Sequence, residues 1–172
     1  MAFSDQTFSK RFEIMGDLSE DAFERWAPTK GISYAHFGLK RPPIYVPNLS
    51  MHVRAMPDFV CQGAKRKPFF VECKGTGGRY VRIKLETLEH IARWNDEHTV
   101  WFFVYDSNNH LAAFVNYRQL ETLCQGRPIK KFDDGRAYYS VPASQFTWED
   151  VPKEHTHDSE EEGNSSGESI GY

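Results

Sequence analysis

One short apolar run constrains this chain more than any other: residues 68–75, which read Pro-Phe-Phe-Val-Glu-Cys-Lys-Gly. Its aromatic and β-branched residues predict a strand that ends in a glycine-rich loop. Because side chains alternate along a strand, Glu72 and Lys74 should point to one face and Cys73 to the other. The run therefore predicts an acid and a base held together on one face of an apolar strand.

A second acid precedes that strand. Asp58 follows Pro57, stands fourteen residues before Glu72 and leads into an apolar triplet, Phe-Val-Cys. Residues 62–67 then read as a polar hairpin turn, so a neighbouring strand should bring Asp58 close to Glu72 and Lys74. Two carboxylates and an ammonium group form a small site for a metal ion and water, and that set suits phosphodiester hydrolysis.

The remaining pattern predicts a definite order of elements. An amphipathic helix over 16–26 should be capped by Asp17 or Ser19 and closed by Pro28 and Gly31. An early strand follows over 32–37, ahead of the two strands described above. The glycine-rich loop should lead into a helix over 84–95, which precedes a buried strand over 100–105 and a returning strand over 111–115. Beyond these, the sequence predicts a helix over 117–124, a strand over 137–141 and a short final helix over 142–150.

On these motifs the chain resembles the PD-(D/E)XK nuclease superfamily over about residues 16 to 115. The resemblance implies a restriction endonuclease-like α/β (α+β) core, in which helices flank a mixed central sheet. In pattern it is closest to the phage-type and archaeal-type Holliday-junction resolvases, which imply a glutamate on the first helix. Glu20 stands at that position, and Glu24, one turn later, is the alternative.

The resemblance also implies a metal-dependent DNA endonuclease with Mg²⁺ as cofactor and Mn²⁺ as a substitute. The implied metal ligands are Asp58, Glu72, the backbone carbonyl of Cys73, and Glu20. The implied catalytic set is Asp58, Glu72, Lys74 and Glu20. Lys74 would orient the attacking water, assist its deprotonation or stabilise the charge of the transition state. The products would carry 5′-phosphate and 3′-hydroxyl ends.

Each of these residues also has an ordinary structural interpretation. Asp58 could start a turn, Glu72 and Lys74 could form a solvent-facing ion pair, and Glu20 could be surface charge on a helix. Three other functions stay open beside junction resolution. They are a restriction-like or other DNA-processing nuclease, a non-catalytic nucleic-acid-binding or assembly protein that kept the fold, and a structural domain with a chance motif.

Charge is distributed unevenly along the 172 residues. The chain has a net charge of −3, but residues 153–172 alone carry −5 and residues 1–152 carry +2. The sequence thus predicts one nuclease-like domain over 1–152 and a disordered acidic tail over 153–172, where apolar residues are scarce. Bases cluster in two places: Lys65, Arg66 and Lys67, and then Arg79, Arg82 and Lys84. For the first cluster, contact with DNA phosphates and solvated loop charge are equal explanations. For Arg79 and Arg82 phosphate contact is favoured, because these residues should lie beside the strand that carries Glu72 and Lys74.

The remaining features predict a cytoplasmic protein of a bacterium or a phage-infected cell. No apolar run reaches the length of a membrane span, and the first residues lack the pattern of a signal peptide. Three cysteines, none of them in a paired motif, indicate a reducing compartment. The expected partner is branched or duplex DNA, and a homodimer is expected because paired nicks need two sites.

Overall fold

The computed structural model describes residues 8–38, 56–64 and 67–153, with side chains described from residue 14 onwards. Residues 51–56 have some strand character in the sequence, and all of them except residue 56 lie outside the described residues. The hairpin bases Lys65 and Arg66 and the predicted acidic tail from residue 154 lie outside them too. Within the described part of the chain, no helix is long and apolar enough to cross a membrane.

The elements follow one another in this order: α1 (Phe8–Thr29), β1 (Ile32–His36), β2 (Phe59–Gly63), β3 (Phe69–Thr76), β4 (Tyr80–Lys84), α2 (Leu85–Glu97), β5 (Val100–Asp106), β6 (Leu111–Asn116), α3 (Tyr117–Cys124), β7 (Lys130–Lys131), β8 (Ala137–Pro142), a 3₁₀ turn (Ala143–Gln145) and β9 (Glu149–Asp150).

The strands form two sheets. The central sheet has six strands in the order β1-β2-β3-β5-β6-β9, and the second sheet has three in the order β4-β8-β7. In the central sheet β3 and β5 run parallel, and the other neighbours are antiparallel. A parallel pair needs a long crossover, which β4 and α2 supply. The predicted fold class, a mixed central sheet flanked by helices, is confirmed.

Strand β5 separates two hydrophobic cores. Its side chains Val100, Phe102 and Val104 pack with α2, α3 and the second sheet. The alternate side chains Phe103 and Tyr105 pack with α1 on the opposite face. Burying each such large side chain contributes about 1.5–3 kcal/mol. Because both faces are covered, the strand reads as an unbroken apolar run, and the prediction of a buried strand here is confirmed.

Helix α1 begins earlier than the sequence pattern suggests. It starts at Phe8, so the prediction that Asp17 or Ser19 caps it is wrong, since both lie inside the helix. No Gly or Pro interrupts residues 8–15, and the helix therefore continues upstream. Ser19 is buried, and its Oγ donates to the carbonyl oxygen of Gly16 at 2.8 Å. The predicted end is confirmed at Gly31, which follows the helix with a φ of 65°, whereas Pro28 lies inside the helix and does not close it.

Two further segments differ from the sequence prediction. The glycine-rich loop leads into strand β4 before the expected helix, and β4 alternates between buried and exposed side chains. The final helix predicted over 142–150 is wrong: a 3₁₀ turn and the short strand β9 occupy that segment. Strand β9 pairs with β6, a contact distant in sequence that local propensity does not encode. The predicted helices over 84–95 and 117–124 and the strands over 111–115 and 137–141 are confirmed.

Gly75 permits close contact between α1 and the end of β3. A Cβ atom at this position would lie 2.5 Å from the backbone oxygen of Met15. We expect Gly75→Ala to push α1 away from β3 and to lower the free energy of unfolding by about 1–3 kcal/mol in denaturant titrations. Gly78→Ala is the matched control, since nothing lies within 4 Å of a Cβ there. Equal stability of the two variants would contradict the role of this contact.

Candidate active site

The site lies where strand β3 continues beyond the end of its pairing with strand β2. Pairing of these strands ends at Phe59 and Val71, whereas β3 continues beside β5 as far as Thr76. Strand amides alternate in direction, and the amide of Phe70 donates towards the β5 side, to Thr99 O at 2.9 Å. The Cys73 N–H therefore points to the side that β2 has left. It donates to Asp58 Oδ2 at 2.6 Å, so a carboxylate replaces a backbone acceptor.

The backbone of Asp58 is fixed as firmly as its side chain. Its carbonyl oxygen accepts hydrogen bonds from the amides of Phe37 at 2.8 Å and Gly38 at 3.1 Å. A Cβ on Gly38 would come within 3.2 Å of the Asp58 Cα, so glycine allows the chain after β1 to lie against this residue. Three amide hydrogen bonds thus hold Asp58 in one position.

Glu72 and Lys74 form an ion pair on one face of β3. The Lys74 Nζ lies 2.5 Å from Glu72 Oε1, and the two side chains are 23% and 12% exposed. Cys73 is buried on the opposite face, in the core beneath α1. The predicted alternation is confirmed. Since Phe70 packs into the core on the α2 side, Glu72 and Lys74 face α2 and the second sheet.

Burial and like charge disfavour the ionised form of Asp58. Burial, followed by the charge of Glu72, raises the pKa of Asp58 to about 8, although Lys74 and the Cys73 amide lower it in part. Burial alone would lower the pKa of Lys74, but the charges of Glu72 and Asp58 outweigh that effect and raise it. Two carboxylates share one ammonium group, so the site favours an added proton or cation.

The structure separates the two candidate glutamates on α1. Glu20 is half-buried, and its charge adds a smaller contribution to the raised pKa of Asp58, after burial and Glu72. Glu24 instead pairs with β1: its Oε1 lies 2.7 Å from His36 Nε2. Its backbone oxygen also accepts from the Tyr34 hydroxyl at 3.3 Å. Glu20 is therefore the glutamate that shares the electrostatic environment of Asp58.

The predicted DNA-contacting bases fall into two regions. Arg79 and Arg82 are exposed on the loop before β4 and on β4 itself. Lys84 ends β4, and its pKa is lowered to about 8 by burial, by Arg136 and by Lys74. The charge of Lys74 therefore acts on Lys84. Lys67 is exposed at the opposite end of β3 from Lys74, and Lys65 and Arg66 lie outside the described residues.

Sequence reasoning missed two features of the site. One is the backbone anchor that Phe37 and Gly38 provide for Asp58, which no local pattern signals. The other is the approach of Lys84 to Lys74, which depends on strand β4. The alternation Tyr-Val-Arg-Ile-Lys over residues 80–84 is a strand signal that could have revealed β4, although its five residues also border a helix.

The available donors at the site are hard oxygen atoms. Within residues 14–38, 56–64 and 67–153, no three His, Cys, Asp or Glu side chains gather closely enough to hold a metal ion. The site offers the carboxylates of Asp58 and Glu72 together with the Cys73 carbonyl, since a strand residue directs its N–H and C=O to the same neighbour. This set fits Mg²⁺, which keeps several waters and needs only one or two carboxylates.

Comparison with known proteins finds likeness in fold alone. No protein-family model matches the sequence, and no curated protein matches it in sequence. The chain is similar to Hjc, a Holliday junction resolvase of Archaeoglobus fulgidus, with a TM-score of 0.45 and 10% identity over 74% of this chain and 89% of that one. It is also similar to a nuclease from a fusselovirus, with a TM-score of 0.45 and 12% identity over 83% and 88% of the two chains. Both likenesses are remote, and the chemistry of the site rests on its own side chains.

The raised pKa of Asp58 predicts a pH-dependent stability. Folded Asp58 binds its proton more tightly than the unfolded chain, where the pKa is 3.8. Its contribution to stability is therefore present at low pH and is lost as pH rises towards about 8. In EDTA, we expect the melting temperature of the wild type to fall relative to that of Asp58→Asn by about 5 °C across this range.

Thermal melts at several pH values measure this difference, and asparagine keeps an oxygen that can accept from the Cys73 amide. Glu89→Gln serves as the control, because Glu89 is exposed on α2. Its melting curve should follow that of the wild type at every pH. Parallel pH profiles of the melting temperature for Asp58→Asn and the wild type would show that folding does not raise the pKa of Asp58.

Proposed function

We propose that this protein is a metal-dependent nuclease of the PD-(D/E)XK type, which hydrolyses phosphodiester bonds in DNA with Mg²⁺ and accepts Mn²⁺ as a substitute. The observation that carries the proposal is the group formed by Asp58, Glu72 and Lys74. A structural ion pair needs one acid and one base. The second carboxylate, that of the half-buried Asp58, has a pKa raised to about 8 and adds a cost in free energy that a divalent cation would offset.

The carboxylates of Asp58 and Glu72 and the Cys73 carbonyl would hold the ion, and Glu20 would support it directly or through a water molecule. When bound, a divalent cation supplies positive charge that polarises the scissile phosphate and lowers the pKa of a bound water. The three amide hydrogen bonds at Asp58 keep its carboxylate in place before substrate arrives. Such preorganisation avoids a reorganisation cost during the reaction.

Lys74 has a more specific role than its residue type alone implies. Its pKa is raised by Glu72 and Asp58, so it stays protonated at neutral pH. A protonated lysine donates hydrogen bonds and does not accept a proton. We therefore assign it to orienting the attacking water and to stabilising the negative charge that develops on the phosphate.

The proposed substrate is DNA, and the proposed mode of cleavage is structure-selective, with the four-way junction as first candidate. Arg79, Arg82 and Lys84 supply positive charge on the loop and strand that follow β3, and the phosphate backbone would approach there. A single small domain leaves little room to read a long sequence, which favours recognition of DNA shape. Paired nicks in a junction would require a homodimer. A restriction-like or other DNA-processing nuclease is the alternative within the same class.

A second candidate function is binding or assembly on nucleic acid without catalysis. One observation favours it: Glu72 is already paired with Lys74 at 2.5 Å, and that pair alone could serve a structural purpose. The two functions differ in their dependence on metal. Only the nuclease needs a divalent cation and the Lys74 ammonium group to act on DNA.

We expect the protein to nick a labelled four-way junction in Mg²⁺ and to leave it intact in EDTA. Lys74→Ala should lower the cleavage rate by about 100-fold or more, since it removes the group that stabilises charge on the phosphate. Gel electrophoresis of the junction and of a matched linear duplex gives the measurement. Lys153→Ala is the matched control, because Lys153 is exposed and lies after the last strand.

Paired, metal-dependent nicks on the junction alone would select junction resolution. Cleavage of both substrates would keep the nuclease and discard branch selectivity. Binding without cleavage in Mg²⁺ and Mn²⁺ would contradict the proposed chemistry and favour the second candidate.

A further inference from the structure

The second sheet turns one face away from the hydrophobic core. Along β4, Val81 and Ile83 are buried in the core, so the alternate residues point to the other face. Those residues are Tyr80, Arg82 and Lys84. Tyr80 is 53% exposed, an unusual exposure for a large aromatic side chain in the described part of the chain.

Pairing of the strands extends this face across the whole sheet. Arg82 lies opposite Ser140, and Lys84 lies opposite Tyr138. Tyr138 in turn lies opposite Lys130 of β7. Residues directly opposite each other in antiparallel strands share a face. We call this face the platform, and its residues are Tyr80, Arg82, Lys84, Lys130, Tyr138 and Ser140.

Aromatic rings and cations alternate on the platform. The Arg82 guanidinium lies 5.7 Å from the centre of the Tyr138 ring, a cation–π distance. The ring centres of Phe132 and Tyr138 lie 4.1 Å apart, so this tyrosine is held in place by two neighbours. Tyr80 presents its exposed ring at the start of β4. The platform therefore offers flat π surfaces beside positive charge.

The segments that frame the platform carry an excess of positive charge. Residues 79–86 and 129–140 contain six bases and three acids. One of the acids, Asp134, is bonded to Arg136 in the turn between β7 and β8. The net positive charge suits a polyanion, and the aromatic rings suit one that also exposes flat, apolar surfaces.

The platform is continuous with the candidate active site. Thr76, two residues after Lys74, donates from its Oγ1 to the backbone oxygen of Tyr80 at 3.1 Å. This bond joins the end of β3 to the start of β4. At the other end of β4, the charge of Lys74 contributes to the lowered pKa of Lys84, after burial and Arg136.

We propose that the platform binds an unpaired segment of DNA beside the cleavage site, with bases stacked on Tyr80 and on the Arg82–Tyr138 pair. The bases of a duplex are stacked on each other and hide their faces, whereas an unpaired strand exposes them. Strand β4 spans roughly 13 Å, enough for two or three bases. The inference rests on the proposed nuclease function and narrows its substrate to DNA in which a duplex adjoins a single strand.

Fluorescence anisotropy in EDTA tests the platform without any cleavage. The full chain would be titrated into a labelled thymidine oligonucleotide of about 12 nucleotides and into a duplex of the same length. We expect Tyr80→Ala to weaken binding of the single strand by about 5- to 20-fold and to weaken duplex binding less. Tyr80→Phe should restore binding, because phenylalanine keeps the ring.

Two further variants control for charge and for folding. Arg118 on α3 also lies over a tyrosine, 5.8 Å from the Tyr117 ring, but it is not part of the platform. Arg82→Ala should weaken binding of the single strand, whereas Arg118→Ala should not. Circular dichroism of each variant confirms that a loss of binding is not a loss of fold.

Three outcomes would overturn the proposal. The first is no binding of the single strand, and the second is a preference for the ribose form of the oligonucleotide. The third is an equal loss of single-strand binding in Arg82→Ala and Arg118→Ala, with no loss of binding in Tyr80→Ala. The binding assay is independent of the nuclease chemistry. Stacking that depends on Tyr80, without cleavage of any DNA, would leave the platform intact and reject the nuclease. Cleavage of DNA without stacking on Tyr80 would reject the platform and keep the nuclease.

Discussion

The hydrogen bond from the Cys73 amide to Asp58 Oδ2, 2.6 Å long, is the interaction on which the site depends. It forms because β2 stops pairing at Phe59 while β3 continues along β5. In an ordinary sheet a backbone carbonyl would accept from this amide. Here a carboxylate accepts instead, and the pairing of β3 with β5 keeps the strand extended on its other side. The departure of one strand therefore creates a position for a half-buried acid that the sheet itself holds in place.

The same arrangement costs free energy of folding that contacts within the protein do not offset. Asp58 and Glu72 lie close together in a site that solvent reaches poorly, and Lys74 neutralises only one of them. Burial and Glu72 consequently raise the pKa of Asp58 to about 8, and metal-free protein favours a proton there. Unfavourable electrostatic interactions of this kind are typical of sites where a ligand supplies the missing charge. The repulsion between the two carboxylates thus lowers the stability of the metal-free protein and also favours the binding of a cation.

The sequence predicted the features that depend on local patterns. Alternation along residues 69–76 placed Glu72 and Lys74 together and Cys73 in the core, and the buried strand β5 followed from its apolar run. The elements that the sequence did not predict depend on contacts between segments that are distant along the chain. Strand β9 is stabilised by pairing with β6, and β4 by pairing with β8. The N-terminal extension of α1 was missed because a favourable cap residue is also tolerated inside a helix, as Ser19 shows by bonding to Gly16 O.

The most direct test of the central claim is calorimetric titration of the metal-free protein with Mg²⁺ at neutral pH, in two buffers of different ionisation enthalpy. We expect saturable binding with release of about one proton, because Asp58 must lose its proton to bind the ion. Binding should be lost in Asp58→Asn and kept in Glu24→Gln. Saturable binding that persists unchanged in Asp58→Asn, or that releases no proton, would contradict the assignment of Asp58 and Glu72 as a metal-binding pair.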